Sequence, residues 1–142
     1  MEAWQPTSYP ELNMAIRLLI AAVLGGLIGF ERARAAKPAG LRTHLLVCVG
    51  AALFTIISIY AFGEGSDPSR VAAGVVVGIG FLGAGTILRQ EKAVVGLTTA
   101  ATIWAVAAIG VATGAGLNII AAVAAAIVLI ALRFLPHHPL HD

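Results

Sequence analysis

The chain alternates between long apolar runs and short polar intervals, and this alternation predicts its elements. A helix that crosses a bilayer needs about 17–25 mostly apolar residues. Five runs are long enough, at residues 12–30, 44–62, 70–88, 97–113 and 117–135. We therefore predict an all-α integral membrane protein, a polytopic bundle of about five transmembrane helices.

The polar intervals predict how these helices are connected. Residues 31–43 and 89–96 form charged loops, and residues 63–69 form a turn rich in Gly, Asp and Pro. Only residues 114–116 separate the last two runs, so those helices are predicted to form an antiparallel hairpin. Residues 1–11 and 136–142 are predicted to be short tails, too short for a catalytic domain.

Basic residues predict the orientation, because Lys and Arg are concentrated in cytoplasmic loops. If the five runs all cross, seven basic residues fall on one side: Arg32, Arg34, Lys37, Arg42, Arg89, Lys92 and Arg133. The opposite side has only Arg70. The N-terminal tail is therefore predicted outside and the C-terminal tail in the cytoplasm.

Composition excludes several other classes of protein. The 142 residues are 59% hydrophobic and 11% charged, with a mean hydropathy of +0.94, whereas soluble domains are about 25% charged. The net charge of +2 is spread along apolar runs and forms no basic stripe for nucleic acid. Cys48 is the single cysteine, so no intrachain disulfide is expected.

Glycines crowd the third run, which leads to two alternatives. Residues 78–83 match the G-x-G-x-x-G pattern, but they lie inside an apolar span and lack the later acidic residue of a dinucleotide site. Either a central helix packs closely on both faces, or the helix breaks around residues 80–85 and lines a polar cavity. The glycines concerned are Gly74, Gly78, Gly80, Gly83 and Gly85.

Two further glycine pairs have small-xxx-small spacing. They are Gly25 with Gly29 and Gly110 with Gly114. This spacing lets helices approach closely, so we expect contacts either within the chain or between the copies of a homodimer.

Arg17 is the charge that lies deepest within the first run. An arginine at this depth is costly unless it extends to the headgroups or is paired. Its two interpretations are extension to the outer headgroups, or pairing with Asp67, Glu64 or an anionic ligand. Glu31 lies on the same helix face, about 20 Å further along.

Polar residues flank the predicted hairpin between the first two helices. Glu31 and Arg32 end the first helix, and Arg42, Thr43 and His44 begin the second. The hairpin should gather them at the cytoplasmic face. A set of stabilising salt bridges and a binding site are equally compatible with this pattern.

Other polar residues have structural explanations. Asp67 and Arg70 stand at the start of the third helix, where Asp67 or Ser69 would act as the cap. Thr98, Thr99 and Thr102 open the fourth helix, and such hydroxyls usually bond back to the backbone. Trp104 is expected to pack inside the bundle.

No set of residues indicates catalysis or a cofactor. His137, His138 and His141 lie around a proline and are expected to form a solvated tail rather than a metal site. The sequence offers no nucleophile with a base and an orienting group, so we expect neither an enzyme nor a bound cofactor.

The motifs together resemble the MgtC/SapB family of bacterial inner-membrane proteins, over about 100 residues. The matching stretches are GGLIGFER at 25–32, AGLRTH at 39–44, DPSRVAA at 67–73, GIGFLGAG at 78–85 and GLTTAA at 96–101. The sequence departs from the family pattern at Gly74, Val77 and Val95, where polar residues are more usual. We expect it to correspond to the transmembrane domain, without the C-terminal cytoplasmic domain of longer members.

The resemblance implies a role in adaptation to low magnesium and, in some pathogens, survival inside host cells. It implies a regulator that acts through helix contacts with other membrane proteins, including ATP synthase, in the inner membrane. The alternatives are a small oligomeric transporter or channel for ions or solutes, and a chain that only stabilises a membrane complex.

Overall fold

The computed structural model of this chain describes residues 10–62, 65–90 and 93–135. Within these ranges the chain forms five helices and one short hairpin. The helices are α1 (Pro10–Arg34), α2 (Leu41–Tyr60), α3 (Ser69–Ala84), α4 (Leu97–Gly114) and α5 (Asn118–Phe134), with strands β1 (Leu88–Gln90) and β2 (Ala93–Val95) between α3 and α4. The predicted tails lie outside the described residues, apart from the start of α1.

The helices differ in length relative to a bilayer. Among the described residues, α1, α2 and α4 are long and apolar enough to cross, whereas α3 has 16 residues and α5 has 17. A helix of 16 residues rises about 24 Å, somewhat less than a hydrocarbon core of about 30 Å. The prediction of five helices is confirmed among the described residues, and that all five cross the bilayer stays a prediction.

The predicted loop at residues 89–96 is wrong in part, because most of it is a hairpin. Leu88 pairs with Val95 and Arg89 pairs with Val94 in antiparallel register. The preceding helix ends at Ala84, four residues earlier than predicted, where the Thr86 hydroxyl donates to the Gly83 carbonyl at 2.8 Å. The β-branched valines of β2 favour the extended backbone of this hairpin.

A left-handed residue connects the hairpin to α4. Gly96 has φ 90°, and a Cβ there would collide with the Thr86 carbonyl oxygen. Only glycine avoids both penalties at this position. At the far end of α4, residues 115–117 form the short connection, one residue later than the predicted 114–116, and α5 begins at Asn118.

The centre of the bundle is α4, and the predicted central position of the third helix is wrong. Helix α4 contacts all four other helices, whereas α3 packs on α4 and more weakly on α2. On α3, Gly83 is buried against Ala100, but a Cβ on Gly74, Gly78 or Gly80 would meet nothing within 4 Å. Helix α3 is continuous through Gly80 and ends at Ala84, inside the range 80–85 where the second alternative placed a break, and the β-hairpin follows instead of a second helical segment.

The close helix contacts instead involve α2, which lies between two glycine pairs. A Cβ on Gly25 would stand 2.5 Å from the Cys48 Cβ, and one on Gly29 would stand 2.8 Å from the Leu41 Cα. From α4, a Cβ on Gly110 would collide with the Cys48 carbonyl oxygen, and a Cβ on Gly114 would collide with the Ala52 carbonyl oxygen. Both small-xxx-small pairs therefore serve contacts within the chain.

Apolar side chains cover the outer surface of the bundle. The core contains Ala21, Ile28, Cys48, Ala52, Val106, Ile109, Ala121 and Ala125. Trp104 is 53% exposed, so its predicted position inside the bundle is wrong. Its face of α4 points outward because the glycine face of that helix is taken up by α2.

Candidate functional site

The buried charged residues form two groups at opposite ends of α1. Arg17 and Arg32 are separated by fifteen residues, which corresponds to a rise of about 22 Å along a helix. Each guanidinium contacts a different end of α4. Asp67 and Arg70 are exposed and belong to neither group.

Arg17 caps the C-terminal end of α4. Its side chain is only 7% exposed, and Nη1 donates to the Gly114 carbonyl at 2.9 Å. The guanidinium also lies 5.8 Å from the centroid of the Tyr60 ring. The last carbonyls of a helix have no helical partners and carry partial negative charge, so a cation is favourable there. The side chain thus contacts Gly114 and Tyr60 rather than extending outward towards the headgroups. Among the described residues Asp67 is not one of its contacts, and the other predicted partner, Glu64, lies outside them.

The turn after α4 is shaped around this arginine. Gly116 has φ 85°, and a Cβ there would stand 3.2 Å from the Arg17 Cζ. The sequence reasoning did not identify Asn13 and Asn118 as part of this region. Each has a buried Oδ1 without a hydrogen-bond partner among the described residues. An asparagine at each border of an apolar run was the available signal.

The second group, which we call the Arg32 cluster, comprises Glu31, Arg32, His44 and Thr99. The buried Arg32 side chain donates from Nη2 to the Thr99 hydroxyl at 3.2 Å. The charges of Arg32 and Glu31 both act on His44. The predicted gathering at the end of the first hairpin therefore includes these three residues, and α4 contributes Thr99.

Two acceptor atoms in the Arg32 cluster have unused capacity. His44 is fully buried and its Nδ1 lies 2.9 Å from the Gly40 carbonyl. A neutral ring that donates through Nδ1 leaves Nε2 as an acceptor, and Nε2 has no partner among the described residues. The buried Oε2 of Glu31 is likewise without a hydrogen bond there. Both atoms could accept from a water molecule, a proton or a cation.

The other predicted candidates lie apart from this cluster. Arg42 and Thr43 are exposed on the first turn of α2, although they are adjacent in sequence to His44. Thr98 is half-buried, and its carbonyl accepts from the Thr102 hydroxyl at 2.6 Å. The backbone bond expected for these threonines is thus made by Thr102, whereas Thr99 instead accepts from Arg32.

Asp67 occupies the predicted helix-start position. Its Oδ1 accepts from the Ser69 backbone N–H at 2.9 Å, immediately before α3. Hydrogen bonds from the Ser69 hydroxyl and the Ser69 N–H stabilise the carboxylate and lower the pKa of Asp67 below its ordinary value. Arg70, which follows Ser69 in the sequence, is exposed.

An apolar cleft of about 660 Å³ separates α2 from α3. One wall belongs to α2 and the other to α3, where Gly74 and Gly78 form part of the surface. The lining residues are Leu46, Val47, Gly50, Ala51, Phe54, Val71, Gly74, Val75, Gly78, Ile79 and Leu82. The sequence reasoning did not identify the α2 wall. Gly50 within an apolar run was its only signal.

The charged candidates do not line this cleft. Arg17, Glu31, Asp67 and Arg70 are all absent from the cleft lining. Among the described residues, no group of three or more His, Cys, Asp or Glu side chains could hold a metal ion. The three histidines of the tail lie outside the described residues.

Comparison with known proteins gives one consistent family. Residues 18–140 match the MgtC family. The chain is 53% identical over 109 residues to the Escherichia coli (strain K12) protein named "Putative magnesium transporter YhiD", covering 72% of this chain and 51% of that protein. It is 51% identical over 126 residues to "Protein MgtC" of Brucella abortus (strain 2308), covering 89% of this chain and 51% of that protein.

A further relative matches a similar share of this chain. An uncharacterized protein of Synechocystis is 46% identical over 134 residues, with 89% of this chain and 57% of that protein covered. The chain thus spans about half the length of the curated relatives it matches. No solved structure matches the chain. Because the match covers all of the described helices except the first part of α1, and includes the Arg32 cluster, the chain belongs to the MgtC family.

Proposed function

We propose that this chain is a multi-pass inner-membrane regulator that acts through helix contacts with other membrane proteins in adaptation to magnesium limitation. The separation of its charged groups carries the proposal. Arg17 and Arg32 each tether α1 to α4, and the cleft between α2 and α3 is lined by apolar residues. A solute pathway would instead call for polar groups along one continuous cavity.

The outward face of α4 supplies a surface for such contacts. Trp104 stands near the middle of this helix and exposes more than half of its surface. Buried tryptophans are frequent energetic centres of protein interfaces. Its exposure in this chain therefore supports contact with another membrane protein. ATP synthase is the partner that the family resemblance suggests.

Co-purification from native membranes at natural abundance tests this proposal. The tagged chain should recover the same membrane proteins repeatedly, and Trp104→Ala should reduce that recovery. Ile119→Ala is the matched control, because Ile119 is 80% exposed on α5. Recovery of the chain with only itself, or equal recovery by both variants, would contradict the regulator.

Transport of a cation is the second candidate function. It is supported by the printed name of the Escherichia coli relative and by the open acceptor atoms of Glu31 and His44. Liposomes containing the chain should then take up Mg²⁺ faster than empty vesicles, and Glu31→Gln should slow this uptake. Uptake equal to that of empty vesicles would exclude this candidate and leave the regulator.

A further inference from the structure

The α2–α3 cleft has the dimensions of one lipid chain. Its α3 wall extends from Val71 to Leu82, a rise of about 16 Å, and one leaflet of a bilayer has a hydrocarbon depth of about 15 Å. Its volume of about 660 Å³ lies within the range of small-ligand sites. The lining is formed by aliphatic side chains, Phe54 and glycines.

The two walls of the cleft are held apart, since α3 packs mainly on α4 through Gly83 and Ala100 and only weakly on α2. A flexible acyl chain can fill the apolar gap that this packing leaves.

Charge distinguishes the two ends of the cleft. On α2 the lining residues recur at 46, 47, 50, 51 and 54, and Arg42 and Thr43 continue this stripe by one more turn. Arg42 is exposed, and the first turn of α2 has no acidic residue. At the opposite end, Arg70 adjoins the lining at Val71, but the Asp67 carboxylate acts against its charge.

We propose that the α2–α3 cleft binds one acyl chain of an anionic phospholipid, with the phosphate beside Arg42 and Thr43. The acyl chain follows the α2 stripe from Leu46 towards Phe54. On the α3 side, Gly74 and Gly78 leave room for it because they have no side chains. The guanidinium of Arg42 pairs with the phosphate at the membrane surface. This site is independent of the proposed regulatory function.

Native mass spectrometry of the full chain in detergent tests the proposal. The protein is incubated with equimolar dioleoylphosphatidylglycerol and dioleoylphosphatidylcholine, which share acyl chains and differ in net headgroup charge. We expect one retained lipid with a preference for phosphatidylglycerol. Arg42→Gln should reduce that preference about fivefold, since one arginine near an anionic lipid contributes about 1 kcal/mol. Arg70→Gln should leave it unchanged.

Two glycine variants test the cleft itself. Gly78→Leu places a side chain in the lining and should abolish retention of both lipids, whereas Gly80→Leu lies on α3 outside the lining and should retain them. Circular dichroism verifies folding. If Gly78→Leu does not fold, Gly50→Leu fills the cleft from α2, where a Cβ also meets nothing within 4 Å.

Several outcomes would overturn the site. Equal retention by Gly78→Leu and Gly80→Leu would place the lipid elsewhere. Loss of preference in Arg70→Gln but not in Arg42→Gln would place the headgroup at the wrong end. A change of oligomeric mass in Gly78→Leu, with lipid retention unaltered, would assign the cleft to a helix of a second copy.

Discussion

At the residue scale, the two buried arginines both connect α1 to α4. Arg17 reaches the carbonyl of Gly114 at the end of α4, and Arg32 reaches the hydroxyl of Thr99 near its start. Each guanidinium is removed from water and from headgroups, so an oxygen on the neighbouring helix provides part of its solvation. The two contacts also fix α4 in register against α1 at both ends.

Replacement of Arg17 by methionine should destabilise the bundle. The substitution keeps the apolar stem, but it leaves the Gly114 carbonyl without its charged donor. A hydrogen bond to a charged group contributes about 1.5–3 kcal/mol, so we expect a loss of unfolding free energy of that order. Unfolding in detergent measures it. Arg34→Met is the matched control, because Arg34 is exposed and lies over the Phe30 ring. Equal losses in the two variants would contradict the capping role.

At the element scale, helix approach depends on where a glycine lies more than on how many glycines a helix has. Helix α3 is the richest in glycine, yet Gly74, Gly78 and Gly80 face open space. Helix α2 has few glycines of its own, but glycines of α1 contact it on one side and glycines of α4 contact it on the other. A close contact needs a small residue opposite a backbone, and here Cys48 lies opposite both Gly25 and Gly110.

Alanine substitutions should separate these two kinds of glycine. Gly25→Ala brings a methyl group to 2.5 Å from the Cys48 Cβ, so overpacking should cost about 1–3 kcal/mol. Gly80→Ala meets no neighbour and should be neutral or stabilising by up to about 1 kcal/mol, the difference in helix propensity. Reversible unfolding of both variants measures the difference. Equal stabilities would show that α1 does not pack on α2 in this way.

The start of α3 should respond to acid. The pKa of Asp67 is lower in the folded chain than its ordinary value of about 3.9, so its contribution is fully present above that value. It is lost as pH falls through the lowered folded pKa, below about pH 4. The protection of the backbone amides in the first turn of α3, measured as the hydrogen-exchange rate relative to the intrinsic rate at each pH, should therefore fall in that window. In Asp67→Ala this protection should already be low at pH 7. An unchanged protection profile would contradict the cap.

At the scale of the whole molecule, the polar groups divide between the two ends of the bundle, and apolar side chains cover the outside. Arg17 lies at one end, the Arg32 cluster lies at the other, and the cleft opens between α2 and α3. This arrangement suits a protein that sits in a membrane and presents helix surfaces. The direction in which the bundle inserts is then expected to depend on the basic residues of the loops.

Labelling of single introduced cysteines tests the predicted orientation. Ser66→Cys lies in the exposed connection between α2 and α3 and should react with an impermeant maleimide in intact spheroplasts. Ala35→Cys, exposed after α1, should react only after permeabilisation. The native Cys48 is buried and gives little background. The reverse labelling pattern would place the N-terminus in the cytoplasm.

The sequence by itself determined the number of helices, most of their bounds, and the family. Apolar runs separated by charges can satisfy backbone hydrogen bonds in a bilayer only as helices, so the pattern alone was sufficient. It also located Asp67 at the start of α3 and gathered Glu31, Arg32 and His44, because these depend on neighbours in sequence.

Only the tertiary structure decided which residues and helices contact one another. Arg17 contacts a residue 97 positions away, Trp104 faces outward, and α4 rather than α3 occupies the centre. Such contacts follow from which helix faces meet, and small residues permit close approach on any face without specifying a neighbour. The apolar cleft arises for the same reason, since α3 packs mainly on α4 and leaves Gly74 and Gly78 without close neighbours.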